Sequence, residues 1–336
     1  MPSGKLEILY LSGHDVEELA LSLEDVLGAV EAAVRAQGNG EVSLDPRVQH
    51  IPDETFPGHF NVLRATVWPL AATGVKIVGD YVENHRLGLP SELALVTLHD
   101  PRTGVPQAIL DATEITERRT GALTALGART LAREGSKVLG HIGARGTAFS
   151  NVVMLDHVFD FDEIRVTSKR AESRERFGRQ LEEALGKPVR VLATIEETVS
   201  GADVVVEATR LAEPEPLLRT AWLDACTLLV PYGTKSVLEL DVLDTMDKVV
   251  VDDWAQCKRD DPFGALRPHV RAGLLTEETL HAELAEVLVG AKPGRERPDE
   301  RILFWHRGLA TTDVALARLL VDRARERGVG TILPYR

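Results

Sequence analysis

Apolar and polar positions change rhythm partway along the 336 residues. In the first third, short apolar runs are broken by turn residues. Leu6–Leu11 (LEILYL) predicts a strand, and Val16–Gln37 predicts one helix closed by Gly38-Asn39-Gly40. Further strands are expected at Phe60–Trp68, Gly74–Tyr81, Leu93–His99 and Gln107–Asp111, with a hairpin turn at Asp100-Pro-Arg-Thr-Gly104 between the last two. This part predicts an antiparallel-sheet domain. A helix follows at Thr116–Arg133, with Thr116 as its N-cap and Gly135 as its stop. From Lys137 short apolar runs alternate with longer helical ones. Strands are predicted at Val138–Ile142, Glu163–Thr167, Val189–Ala193, Asp203–Ala208, Thr227–Val230 and Lys248–Asp252, and helices at Thr147–His157, Ala171–Leu185 and Ile195–Gly201. Such alternation is the mark of a parallel sheet covered on both faces. The last helix, Thr312–Glu326, ends at Gly328 and is expected to return to the first domain. The predicted class is α/β: a Rossmann domain with a parallel sheet, residues 116–306, inserted into an α+β domain made of residues 1–115 and the returning helix in residues 307–336.

Composition narrows the function classes. Hydrophobic content of 44% and charged content of 27% support a sizeable core. A net charge of −13 argues against nucleic acid and anionic membrane surfaces, because phosphate binding needs a surplus of Lys and Arg. Cys226 and Cys257 are not in a CxxC pair and are expected to be reduced thiols. The N-terminus has no apolar core behind a basic start, and no apolar stretch approaches the ~20 residues that cross a bilayer. A cytoplasmic enzyme with neither membrane nor nucleic-acid partner is the expectation. No internal repeat is visible.

The strand Val138–Ile142 runs straight into Gly143-Ala144-Arg145-Gly146-Thr147-Ala148 and then a helix. A Rossmann fold places GxGxxG/A there, with the pyrophosphate on the helix N-terminus. Gly143 and Ala148 fit the outer positions. Arg145 holds the middle one, where glycine lets the backbone approach the phosphates. Gly146 takes that role if the loop shifts by one residue, leaving Arg145 to lie along the pyrophosphate; a plain βα turn would also look like this. An NAD enzyme carries Asp or Glu at the end of the second strand for the ribose 2′-hydroxyl. Here the strand ends in Ser168-Lys169-Arg170, a hydroxyl and two cations that suit a 2′-phosphate. The expected cofactor is therefore NADP(H), with NAD(H) the other possibility. Thr209 and Gly233 join the candidate cofactor contacts. His306 is either a nicotinamide neighbour or a structural histidine.

Several segments together resemble the ornithine cyclodeaminase/μ-crystallin family in order and spacing. They are Val75-Lys76-Ile77, Asn84 with Gly88-Leu-Pro90, Thr103-Gly104, Ile115-Thr-Glu-Arg-Arg-Thr120 and the Gly143 loop, then Glu239-Leu-Asp241, Glu283-Leu-Ala-Glu286, Pro293-Gly-Arg295 and Gly308 to Asp313. The resemblance spans nearly the whole chain. It implies that the non-Rossmann domain binds substrate and forms a homodimer. It also implies that the substrate's α-carboxylate sits among Arg47, Lys76 and Arg119, facing the nicotinamide, with Asp313 at the edge of the site. The residues carry part of this by themselves. An arginine fork binds a carboxylate bidentately, and a buried lysine can shuttle a proton to a C=N group or an amine. Lys76 lies within an apolar strand, where an unpaired ammonium is costly. Arg118 and Arg119 point to different sides of one helix, and Arg119 is the one that matches the family. Arg47, in Asp45-Pro46-Arg47, is also compatible with an ordinary loop.

One departure concerns the reaction. Cyclodeaminases of the family carry an Asp shortly before Glu-Leu-Asp, for proton transfer and for the side-chain amine. Ungapped counting puts Gly233 at that place, and the loop from Val230 to Leu238 contains no carboxylate. This disfavours ornithine-type cyclisation and favours plain hydride transfer to an imine. Lys235 and Tyr232 are the polar candidates for recognising the substrate side chain; the segments Pro57–Asn61 and Tyr232–Val237 do not identify that substrate. Asp252, Asp253 and Cys257 invite a metal reading, but a strand end followed by a helix N-terminus accounts for them, and no metal is expected. The expected activity is interconversion of a small α-amino acid and its imino acid. A cyclodeaminase that recycles bound NAD and a non-catalytic NADP(H)-binding protein are the alternatives.

Overall fold

The computed structural model describes residues 5–53, 55, 58–260 and 263–336, with only the backbone of His85. Pro57, at the start of a segment named above for substrate selectivity, lies outside these residues. Two compact units divide the chain, one formed by Met1–Arg119 with Leu309–Arg336 and the other by Thr120–Gly308.

The first unit contains β1 (Glu7–Leu11), α1 (Gly13–Leu19), α2 (Leu23–Gly38), β2 (Val42–His50), β3 (Gly58–Val67), β4 (Ala72–Tyr81), β5 (Glu92–His99) and β6 (Pro106–Asp111). The helix expected over Val16–Gln37 is in fact two. Ser12 and Ser22 each close a capping box, with Asp15 and Asp25, so two helix starts lie ten residues apart. Ala20 between them adopts φ +44°, which ends the first helix. β2 was not expected, because Pro46 interrupts its alternation; it survives as an edge strand with a bulge between Asp45 and Val48. The helix α3 (Thr113–Leu131) carries the chain onward. It begins three residues before Thr116, so Thr116 is an interior residue and not the cap.

The second unit continues with β7 (Val138–Ile142), α4 (Ala148–Phe159), β8 (Glu163–Thr167), α5 (Ala171–Leu185), β9 (Arg190–Val191), α6 (Ile195–Val199) and β10 (Val204–Glu207). Then come β11 (Leu228–Pro231), β12 (Lys248–Val251), α7 (Trp254–Cys257), α8 (Arg267–Arg271), β13 (Ala282–Glu283), α9 (Leu284–Leu288) and β14 (Ile302–Trp305). The eight strands form one sheet in the order β13-β12-β14-β11-β10-β7-β8-β9, parallel throughout. From β9 inward the order is third, second, first, fourth, fifth, as in a Rossmann sheet. Its switch point lies between β7 and β10, where ligands bind in open α/β sheets. Ile142, Val205, Leu229, Val251, Leu303 and Trp305 build the buried core beneath it.

The chain then returns to the first unit as α10 (Ala310–Arg327) and β15 (Thr331–Pro334). β15 pairs with β1 and completes a seven-stranded sheet, β15-β1-β6-β5-β4-β3-β2. α10 packs on α2 and across β3, β4 and β5.

Candidate active site

The alternation of β4 decides where Lys76 points. Ala72, Gly74, Lys76 and Val78 are buried and share a face, while Ile77 is exposed on the other. Register places Lys76 opposite Leu63 of β3 and Val96 of β5, so it stands in an apolar row under α10. Gly74 lets α10 come close: a Cβ there would lie 2.6 Å from Val314 Cγ2. That approach brings the first turn of α10, with Asp313, against β4.

Three charges meet here. Lys76 Nζ donates to Asp313 Oδ1 at 2.6 Å and to Thr116 Oγ1 at 3.2 Å. Arg119 Nε donates to the same Asp313 oxygen at 2.9 Å. Lys76 and Asp313 are each 1% exposed and Arg119 6%. Thr116 turns its own proton to Ala112 O while its oxygen accepts from the lysine. Burial lowers the Lys76 ammonium to about 8, helped by the Arg119 charge and opposed by Asp313. One anion thus holds two cations. Asp313 Oδ2 is buried without a partner, and Arg119 Nη1 and Nη2 bond to no described residue. These atoms keep unused hydrogen-bonding capacity.

Arg47 sits at the bulge in β2, half-buried. The pairs Asp45–Arg64 and Val48–Val62 flank it, so Leu63 lies opposite the bulge and separates it from Lys76 in the same row. The structure therefore puts Arg47 near the end of this row without joining it to the Lys76–Asp313–Arg119 triad.

In the second unit Gly143 directly follows β7, with φ +114°. A Cβ there would lie 2.7 Å from Ala208 O, so the loop hugs the end of β10. Ala144 is half-buried and Ala148 buried at the start of α4, whereas Arg145 and Gly146 are exposed. Gly146 has φ +57° and open space around the position of a Cβ. The Arg145 side chain therefore does not fill the cradle. Thr147, the N-cap, makes no capping bond, which leaves the first turn of α4 uncapped by a side chain. Loop and helix end together fit a dinucleotide pyrophosphate. Gly143→Val is expected to raise the Kd for NAD(P)H at least tenfold, since Val can accept neither the φ nor the contact with Ala208. Fluorescence titration checks this; unchanged binding would remove Gly143 from the site.

The chain has a family. The model of the ornithine cyclodeaminase/mu-crystallin family matches residues 7–328. The chain belongs to that family. It is 31% identical over 334 residues to the alanine dehydrogenase of Archaeoglobus fulgidus, covering 98% of this chain and 99% of that one. Among solved structures it resembles Thermococcus litoralis Delta(1)-pyrroline-2-carboxylate reductase in complex with NADH and L-proline. The TM-score is 0.90 at 31% identity, over 96% of this chain and 99% of that one. It also resembles an archaeal alanine dehydrogenase dimer with bound NAD, with TM-score 0.88, 31% identity, and coverage of 98% and 100%.

As a cyclodeaminase/mu-crystallin family member the chain keeps its own polar pattern. At the end of β8, Ser168 is half-buried, Lys169 and Arg170 are exposed, and Arg174 bonds to Ser168 O. Lys235 lies over the Phe263 ring at 5.2 Å. His306 is buried, stacked between Tyr232 and Phe304, with Nε2 2.9 Å from Thr124 Oγ1. Asp252 accepts from the N–H groups of Arg307, Gly308 and Asp253, which accounts for its carboxylate. Among the described residues no group of three His, Cys, Asp or Glu is arranged to hold a metal ion, and no helix is long and apolar enough to cross a membrane.

Glu207 was missed. It ends the apolar run Val204–Glu207, and an acid closing such a run was a readable signal. Its fully buried carboxyl accepts from Thr209 N at 2.7 Å and Thr209 Oγ1 at 2.5 Å. A Cβ on Gly233 would lie 2.6 Å from either carboxyl oxygen, so Glu207 requires that glycine. Burial raises its pKa from 4.5 to about 7. The folded protein thus keeps a proton that the unfolded chain releases, so stability falls as pH rises from 4.5 to about 7 and then levels. Glu207→Gln should erase that loss, gaining at most ~3 kcal/mol over the parent at about pH 8 and little at about pH 4. Urea unfolding at both pH values checks it; an equal difference at both would contradict it.

Proposed function

We propose that the protein is an NADP(H)-dependent oxidoreductase that interconverts a small α-amino acid and its imino acid, cyclic or acyclic. The buried cluster of Lys76, Arg119 and Asp313, with the terminal guanidinium nitrogens and one carboxylate oxygen unpaired, carries the reading. An α-carboxylate matches the terminal nitrogens of Arg119 bidentately, and Arg47 is the second candidate anchor. Lys76, with a pKa of about 8, is suited to protonate the imine nitrogen in reduction and to take the proton from the amine in reverse. Asp313 positions both cations. Bound NADP(H) supplies or accepts the hydride. The loop Gly143–Ala148 would hold its pyrophosphate, Ser168, Lys169 and Arg170 its 2′-phosphate, and Thr209, Gly233 and His306 complete the candidate contacts. The similar Thermococcus litoralis reductase is in complex with NADH and the archaeal alanine dehydrogenase has bound NAD; the missing acid at the end of β8 and the two cations there support NADP(H) for this chain.

The sheet face opposite Lys76 presents Ile77, Leu93 and Leu95, each more than 40% exposed and clustered across β4 and β5. Such a face supports a homodimer through the first unit, which sedimentation of the purified protein would test.

The functional test mixes the protein with NADPH or NADH and a panel of 2-oxo acids with ammonia or methylamine, together with cyclic imines. Loss of nicotinamide absorbance, with kcat/KM at least tenfold higher for NADPH, is expected, and Lys169→Glu should erase that preference. A preference for NADH would overturn the cofactor assignment alone. Ammonia release from ornithine or lysine without net absorbance change would instead establish a cyclodeaminase.

A further inference from the structure

The start of α4 departs from the described helices whose N-cap is a serine or threonine that caps. At α1, α2 and α6 the N-cap Ser or Thr is extended and its hydroxyl accepts from the third backbone N–H. Thr147 instead has φ −72° and ψ 0°, and its hydroxyl makes no capping bond. That hydroxyl lies 3.0 Å from Tyr232 Oη. Asn151, one turn along, donates through Nδ2 to Thr147 O and to Tyr232 Oη, each at 2.9 Å. The phenol is therefore held by Asn151 of α4 and by Thr147, its N-cap.

Its ring is held as well. Tyr232 stacks on His306 at 5.0 Å with 24° between the planes, and His306 stacks on Phe304 at 5.3 Å and 28°. His306 is bonded to Thr124 on α3. Tyr232 directly follows β11, and Gly233 after it is locked against Glu207. These contacts run along the carboxyl ends of β11 and β14 to the helix that follows β7.

We propose that Tyr232 is a positioning residue for the dinucleotide: it draws the Thr147 hydroxyl away from the first turn of α4 and so keeps those N–H groups open for phosphate. A capping hydroxyl and a phosphate oxygen compete for the same donors. Without the phenol, Thr147 is free to turn extended and cap the helix as Ser12, Ser22 and Thr194 cap theirs. Tyr232 need not touch the cofactor to control its affinity.

This inference rests on the cofactor site proposed above, and the test separates the two. Kd values for NADPH and NADH are measured by fluorescence titration for the parent, Tyr232→Phe, Thr147→Val and the double variant, with Tm of each ligand-free protein. Phe keeps the ring stack and removes only the hydroxyl. Tyr232→Phe is expected to raise Kd about tenfold when Thr147 is present. Added to Thr147→Val it should change Kd by less than twofold, because no hydroxyl remains to cap the helix. A purely structural tyrosine would lower Tm and weaken binding equally in both backgrounds, which would overturn the inference, as would an unchanged Kd in Tyr232→Phe. A parent protein that binds neither dinucleotide would overturn the cofactor reading, and the inference with it.

Discussion

Lys76→Met is expected to lower kcat by ~10²- to 10⁴-fold, the usual worth of a positioned proton donor. Methionine fills the channel that the lysine stem occupies, and Asp313 keeps its bond to Arg119. NADP(H) affinity should be unchanged. The pH profile carries the sharper signature. Burial and the Arg119 charge hold Lys76 at about 8 against the pull of Asp313, so its charge changes close to neutrality. Reduction needs the ammonium, and its rate should fall as pH rises through about 8. Oxidation needs the free amine, and its rate should rise through the same range. Both limbs vanish in Lys76→Met if this group moves the proton. A variant that retains the parent's limb, or most of its kcat, would assign proton transfer elsewhere.

Asp313→Asn should be the most damaging single change to stability. One carboxylate oxygen serves both Lys76 and Arg119, and all three side chains are buried. Asn leaves two adjacent cations without that anion, and breaking a buried pair typically costs ~3–5 kcal/mol. The sign with pH follows from Lys76. Its folded pKa already lies below the ordinary 10.5, and losing the attraction of Asp313 lowers it further. The unfolded chain then binds the proton that the folded one rejects, so stability rises with pH. The deficit of Asp313→Asn should therefore be largest at low pH, shrink as pH rises toward about 8, and level off above it, where Lys76 is neutral in both folded proteins. Urea unfolding across that range checks this. A deficit independent of pH would mean that Lys76 and Asp313 are not electrostatically coupled.

Much of the architecture was legible because the parallel sheet depends on local pattern. Glu163–Thr167 and Ala171–Leu185 appear with the boundaries that apolar spacing predicts, and the βα rhythm after Lys137 required a parallel sheet. What failed depended on partners distant in sequence. β15 is a strand only because it pairs with β1, more than three hundred residues earlier, and β2 is one despite Pro46 because it closes an edge. The break at Ala20 was readable in principle from two Ser-x-x-Asp starts, but the apolar spacing runs across it. The site divides in the same way. Motifs point to Lys76, Arg119 and Asp313 one by one, whereas the single oxygen that two of them share comes from α10 packing at Gly74. Thr116 looked like a cap because caps and interior threonines share a composition; only the helix start three residues earlier shows it as an acceptor for Lys76. Tyr232 drew notice in the sequence only as a polar candidate for the substrate side chain, and Asn151 carried no signal, since their pairing is a contact across 81 residues.

The central claim is that this chain moves a hydride between a nicotinamide and the α-carbon of an amino acid. Reduction with NADPH carrying deuterium at C4, followed by mass and NMR analysis of the product, tests it most directly. One deuterium at the α-carbon of the amino acid for each NADPH consumed, with a single stereochemistry, is the predicted result. Oxidation of the cofactor without deuterium at that carbon, or an amino-acid product that retains only solvent hydrogen there, would contradict it.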